Sequence, residues 1–122
     1  MEMDVDKLKY IDKAVDWVNK RKIQSFNANA EGYDQPKPFL NKRTNDYVCP
    51  DLSFIDERGN KSYVEIALKK EDLRDTITKW KLLISLAAYK NGKLYLLCPK
   101  GHLSFIKKQV ETYDLSAIIQ SI

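Results

Sequence analysis

The sequence predicts one α/β domain, a mixed β-sheet flanked by helices. Three observations predict it. Residues 4–21 and 71–90 carry apolar side chains at three- and four-residue steps, the period of a half-buried helix. Residues 47–56 and 62–68 are strand-length runs separated by the polar, glycine-bearing Asp56-Glu57-Arg58-Gly59-Asn60-Lys61, which has the composition of a hairpin turn. A strand, a long helix and the apolar run at 93–98 then form a β-α-β unit, whose two strands should be parallel neighbours.

The elements follow in order. In the first helix Val5, Leu8, Ile11, Val15 and Val18 make the apolar stripe, and Tyr10, Ala14 and Trp17 widen it. Lys7, Lys9, Lys13 and Lys20 are expected to point away from it. Its end falls at Lys20-Arg21-Lys22, where cations suit the negative end of the helix dipole. Ile23 to Phe26 is a short strand candidate. Residues 27–45 contain Gly32, Pro36 and Pro38 among many Asn and Asp residues, and should be mostly loop with room for another short strand. A connection of that length inside a compact domain is uncommon and often functional.

The long helix opens on Glu71 and Asp72, buries Leu73, Ile77, Trp80, Ile84 and Ala87, and ends at Asn91-Gly92. The strand at 93–98 is stopped by Pro99. A third helix turns Leu103, Ile106 and Val110 inward. Asp114 then caps a short helical tail of Leu115, Ile118, Ile119 and Ile122, for which a strand is the alternative.

With 122 residues the chain fits a single domain, 1–122, able to bury a core without staples. The net charge of +4 permits contact with a polyanion without demanding one. The acidic start Met1-Glu2-Met3-Asp4 has neither the basic nor the apolar region of a signal peptide, and no apolar run reaches membrane-span length. A cytoplasmic protein with no membrane role and with Cys49 and Cys98 reduced is the expectation.

The chemistry centres on Pro50-Asp51 and Glu65, which lie on the two hairpin strands. Carboxylates on adjacent antiparallel strands can meet if they share a face. Val64, Ile66 and Leu68 alternate onto one face and put Glu65 on the other, beside Tyr63 and Ala67. Two close carboxylates repel unless a cation relieves them, and a hard divalent ion does so while keeping sites for water and phosphate oxygens.

Pro50-Asp51, then Tyr63-Val64-Glu65-Ile66, then a long helix and an apolar strand, resembles the PD-(D/E)-x-K nuclease superfamily, the restriction-endonuclease-like proteins. The resemblance covers about residues 4–98. It implies an α-β-β-β-α-β core and a metal-dependent hydrolase of DNA or RNA. Asp51 and Glu65 would hold Mg²⁺ or Mn²⁺, with the Ile66 carbonyl assisting. The family's lysine, two residues after the second acid, is replaced here by Ala67. Lys69 is the nearest substitute, on the same side as Glu65 if the strand continues unbroken. Lys79 or Lys81 from the long helix is the other. An acid from the first helix is also common in the family; for Asp12 and Asp16 a solvated face is the better explanation.

Lys37, Lys42 and Arg43 in the long loop are candidates for phosphate contacts, as are Lys79 and Lys81. Cys49, Cys98 and His102 lack the paired spacing of a zinc site, and one histidine supports no serine-hydrolase triad. Two functional outcomes are therefore expected. One is a nuclease-like enzyme with a relocated lysine. The other is a catalytically degenerate copy serving as a nucleic-acid-binding or protein-interaction subunit, which a homodimer or a larger assembly would suit.

Overall fold

The computed structural model describes residues 4–122; Met1, Glu2 and Met3 of the acidic N-terminal stretch lie outside the described residues. Two helices open the chain, α1 (Val5–Leu8) and α2 (Ile11–Asn19). Strand β1 (Ile23–Ala28) follows, then a small hairpin of β2 (Phe39–Asn41) and β3 (Asp46–Val48), then β4 (Leu52–Asp56) and β5 (Lys61–Ile66). Helix α3 (Arg74–Tyr89), strand β6 (Leu94–Cys98), helix α4 (Leu103–Thr112) and strand β7 (Ala117–Ser121) complete it.

Five strands form one mixed sheet in the order β1-β4-β5-β6-β7. The β1–β4 and β4–β5 pairings are antiparallel, and β5–β6 and β6–β7 are parallel. The β-α-β unit around α3 thus forms as its apolar pattern predicts. The alternation along β5 also holds. Val64 and Ile66 pack with Ile11, Ala14, Val15 and Val18 of α2, while Tyr63 and Ala67 pack with Ile77, Trp80 and Leu83 of α3 and Ile106 of α4. Both faces of the sheet are therefore covered, and Glu65, on the α3 side, has no route to bulk solvent except past the strand ends.

Just past the end of helix α3, Asn91 adopts a left-handed conformation (φ 60°), which asparagine tolerates and a β-branched residue does not. Gly92 is required for a different reason. A β-carbon there would collide with the main-chain carbonyl of Lys61, and the Ser62 hydroxyl receives the next N–H, that of Lys93. The close approach seats the α3–β6 turn against the start of β5.

Four expectations change. The first helix is not continuous to Arg21: it breaks at Lys9-Tyr10, where the Tyr10 N–H bonds to the Lys7 carbonyl in a tight turn. Val5 is 78% exposed and Leu8 44%, so the stripe begins at Ile11. Lys7, expected to face water, is buried. The strand at 47–56 is cut at Cys49-Pro50-Asp51. Proline has no N–H for a ladder, and the chain leaves the β2–β3 hairpin there to join the main sheet. Finally, the C-terminal tail is the strand alternative. Asp114 takes a left-handed turn (φ 50°) rather than capping a helix, and β7 pairs in register with β6 from Leu94↔Ala117 to Cys98↔Ser121.

Candidate metal and phosphate site

Asp51 immediately precedes β4, and Glu65 is the penultimate residue of β5. The hairpin register pairs Leu52 with Val64, so one step further sets Asp51 opposite Glu65. Each acid grips the other's strand: the Asp51 N–H donates to Glu65 Oε2 at 2.8 Å, and the Ile66 N–H donates to Asp51 Oδ2 at 2.9 Å. The Asn29 N–H donates to the Asp51 carbonyl at 2.8 Å, tying β1's end to the same point. Two buried carboxylates are thus held on one side of the sheet by main-chain donors.

Two ammonium groups meet them. Lys7 of α1 donates to Asp51 Oδ2 at 2.8 Å, and its Nζ lies 3.7 Å from Glu65 Oε1. Lys79 of α3 brings its Nζ to 3.1 Å from the same Oε1. Oε1 is buried and is held by charge, ion-paired with Lys79 and close to Lys7. The group borders a cleft of about 340 Å³, rimmed by Tyr47, Val48 and Cys49 from the β3 side and by Thr76 and Lys79 of α3.

Burial pushes the Asp51 carboxyl up, the neighbouring Glu65 charge adds to it, and Lys7 and Lys79 pull back only in part; the result is about 6. Burial acts on Glu65 in the same direction, but Lys7, Lys79 and the Asp51 N–H outweigh it and hold Glu65 below the ordinary carboxylate range. Glu65 is therefore the fixed anion, and Asp51 is the member that takes a proton first. For Lys7, burial favours the neutral amine, yet the charges of Glu65 and Asp51 and the hydrogen bond Lys7 donates to Asp51 raise it above the usual lysine value.

The donor set fits a hard divalent ion of the Mg²⁺ type rather than a closed cage. Mg²⁺ is commonly held by one or two carboxylates, with water and phosphate completing its shell. Asp51 and Glu65 supply two, and their oxygens already face positive charge in the ammonium groups of Lys7 and Lys79. No group of three or more His, Cys, Asp or Glu side chains able to hold a metal occurs among the described residues, so such an ion would depend on water and substrate oxygens for the rest.

The remaining predicted residues separate clearly. Ile66 joins the site through its main chain, and its side chain belongs to the α2-side core. Ala67 is buried against α3. Lys69 is not brought in. Strand β5 ends at Ile66, so the alternation that would have turned Lys69 toward Glu65 stops short. Its N–H donates to His102 Nδ1 at 2.8 Å and its Nζ lies over the Phe105 ring. Lys81 is two residues past Lys79, on another side of α3, with its Nζ over the Tyr113 ring. Lys37 is exposed on the approach to β2, and Lys42 and Arg43 are exposed at the tip of the β2–β3 hairpin, whose returning strand borders the cleft. Asp12 and Asp16 are exposed on α2.

Lys7 is the residue the pattern reading missed. A signal for it exists: Lys7 stands four residues before Ile11, on the same helical row as the buried Ile11, Ala14, Val15 and Val18. A charged residue in an apolar row is easily discounted, and Val5 and Leu8 extend the stripe of Ile11, Val15 and Val18 without it.

The fold and site thus define an α/β domain with a buried pair of carboxylates flanked by two lysines at one end of a mixed sheet. No family model, curated protein or solved structure matches the chain. No helix among the described residues is long and apolar enough to cross a membrane.

Proposed function

We propose that the chain is a nuclease-like domain that binds DNA or RNA and hydrolyses phosphodiesters with Mg²⁺ or Mn²⁺ held by Asp51 and Glu65. The observation that carries this reading is the meeting of those two buried carboxylates with Lys79 at one cleft. The element order supports it too: helix, three antiparallel strands, helix, parallel strand is the order implied by the resemblance to PD-(D/E)-x-K nucleases.

Bound Mg²⁺ would neutralise charge on the phosphate and make a water more acidic. Asp51 and Glu65 would hold the ion, and their own positions are fixed by main-chain N–H groups. The Ile66 carbonyl would be a further oxygen donor. Lys79 takes the part of the lysine that Ala67 replaces: its ammonium, beside Glu65, orients the attacking water and offsets charge building on the phosphate. Lys37, Lys42 and Arg43 would contact the nucleic-acid backbone from the loop and hairpin.

The test is cleavage of DNA and RNA in Mg²⁺ or Mn²⁺ by the wild type, Asp51→Asn and Glu65→Gln. Metal-dependent cleavage lost in both variants is expected; cleavage unchanged in both removes this site from the chemistry. A second reading, a degenerate copy kept for binding or assembly, is favoured by one observation: Lys7 already supplies a positive charge between the acids. It predicts salt-sensitive binding to nucleic acid, or to a protein partner, without cleavage at any metal concentration.

A further inference from the structure

We infer that Lys7 stands in the place of the divalent cation, and that α1 is a plug that must lift for Asp51 and Glu65 to take a metal. This concerns the regulation of the same site and rests on the reading above.

The Lys7 Nζ bridges the two acids, at 2.8 Å from Asp51 Oδ2 and 3.7 Å from Glu65 Oε1. A cation relieving both carboxylates at once would have to approach those oxygens. Lysine serves the pair unequally, since its Nζ hydrogen-bonds Asp51 Oδ2 and stands further from Glu65 Oε1, which relies on Lys79 as well. Two ammonium groups are needed where one divalent ion would serve both acids, since it carries twice the charge and contacts several oxygens at once. The other charged groups bordering the cleft are Asp4, Lys70, Asp75 and Lys79, and Lys79 reaches only Oε1.

Helix α1 is also built to leave. It has four residues, too few to be stable alone. Its Val5 is 78% exposed and its Leu8 44%, so little apolar surface anchors it. Among the described residues its other side-chain tether is the Asp4–Lys70 pair at 3.1 Å, which is part exposed, and pairs of that kind contribute little. Lys7 is therefore the principal attachment of α1 to the domain, and the break at Lys9-Tyr10 lies where a hinge would be. Metal uptake and release of α1 are then two sides of one equilibrium, each opposing the other to the same degree.

Calorimetric titration with Mn²⁺ compares the wild type with Lys7→Met and Lys79→Met. The plug predicts that Lys7→Met binds Mn²⁺ at least tenfold more tightly than the wild type, and that Lys79→Met shows a smaller gain. Equal affinity in wild type and Lys7→Met overturns it. A second measurement needs no variant: in wild-type protein with ¹³C-labelled lysines, saturating Mg²⁺ should move the Lys7 ε-methylene resonance to the position of exposed lysines. Saturation with that resonance unmoved also overturns the inference. Lys7→Met that gains metal but cleaves no nucleic acid keeps the plug and removes the hydrolase reading. Metal-dependent cleavage with affinity indifferent to Lys7 does the reverse, and no metal bound by either protein removes both.

Discussion

At the scale of residues, the domain holds two carboxylates out of water and answers them with two ammonium groups. Removing one partner of a buried ion pair leaves an uncompensated charge, a loss on the order of 3–5 kcal/mol. Lys7→Met should therefore lower unfolding stability by roughly 3 kcal/mol at neutral pH, and adding Asp51→Asn should restore part of that loss; denaturant titration of the three proteins checks both. The pH dependence has a definite sign. Asp51 is raised to about 6 in the folded state, above its ordinary value of 3.8. The folded protein thus holds more protons than the unfolded chain between those values, and the Asp51 contribution to stability falls as pH rises from 4 to 6. Glu65 is shifted downward, so its contribution is present above the ordinary glutamate value and is lost as pH falls through its folded-state value. Carbon-13 titration of the Asp51 carboxyl should give a midpoint near 6, moving higher in Lys7→Met because the charge pulling it down is gone.

Elements deliver those residues, and here the sequence was readable to different depths. The hairpin of β4 and β5 and the β-α-β unit were legible because period and turn composition agreed over whole elements. The pairing of Asp51 with Glu65 followed from the alternation that puts Val64 and Ile66 on the opposite face. What could not be read is where elements stop. Lys69 looked like the replacement lysine only if β5 ran past Ile66, and a strand's end is decided by its neighbours, here Leu97 receiving the Ala67 N–H and His102 receiving that of Lys69. The tail at 115–122 carries apolar residues at spacings that suit a helix turn and a strand equally, and the open edge of β6 chose the strand. Two consequences belong to this scale. Lys79→Met should reduce cleavage by about a hundredfold, in the usual range for removing one positioned group that stabilises developing charge, and Lys69→Met far less, measured under single-turnover conditions. Gly92→Ala should destabilise by about 1–3 kcal/mol, as overpacking does, because the new methyl meets the Lys61 carbonyl; thermal unfolding reads this directly.

For the whole molecule, the acid pair lies at one end of the sheet, between α1, the β2–β3 hairpin and the start of α3. The cations at the hairpin tip and the net charge of +4 suit approach by a polyanion. Replacing Lys42 and Arg43 with Ala should weaken nucleic-acid binding similarly across sequences and reduce the log–log salt slope by about 1–2 units, given roughly 0.7–0.9 per phosphate contact; fluorescence anisotropy over a salt series measures it.

Whether Asp51 and Glu65 share a divalent cation is read most directly by anomalous diffraction from crystals soaked in Mn²⁺, with no reliance on catalysis. A shared ion gives a peak bounded by the carboxylate oxygens of Asp51 and Glu65, with the Lys7 ammonium displaced from its present contact. Soaked crystals in which Lys7 still bridges the two acids, and no peak lies between them, would contradict it.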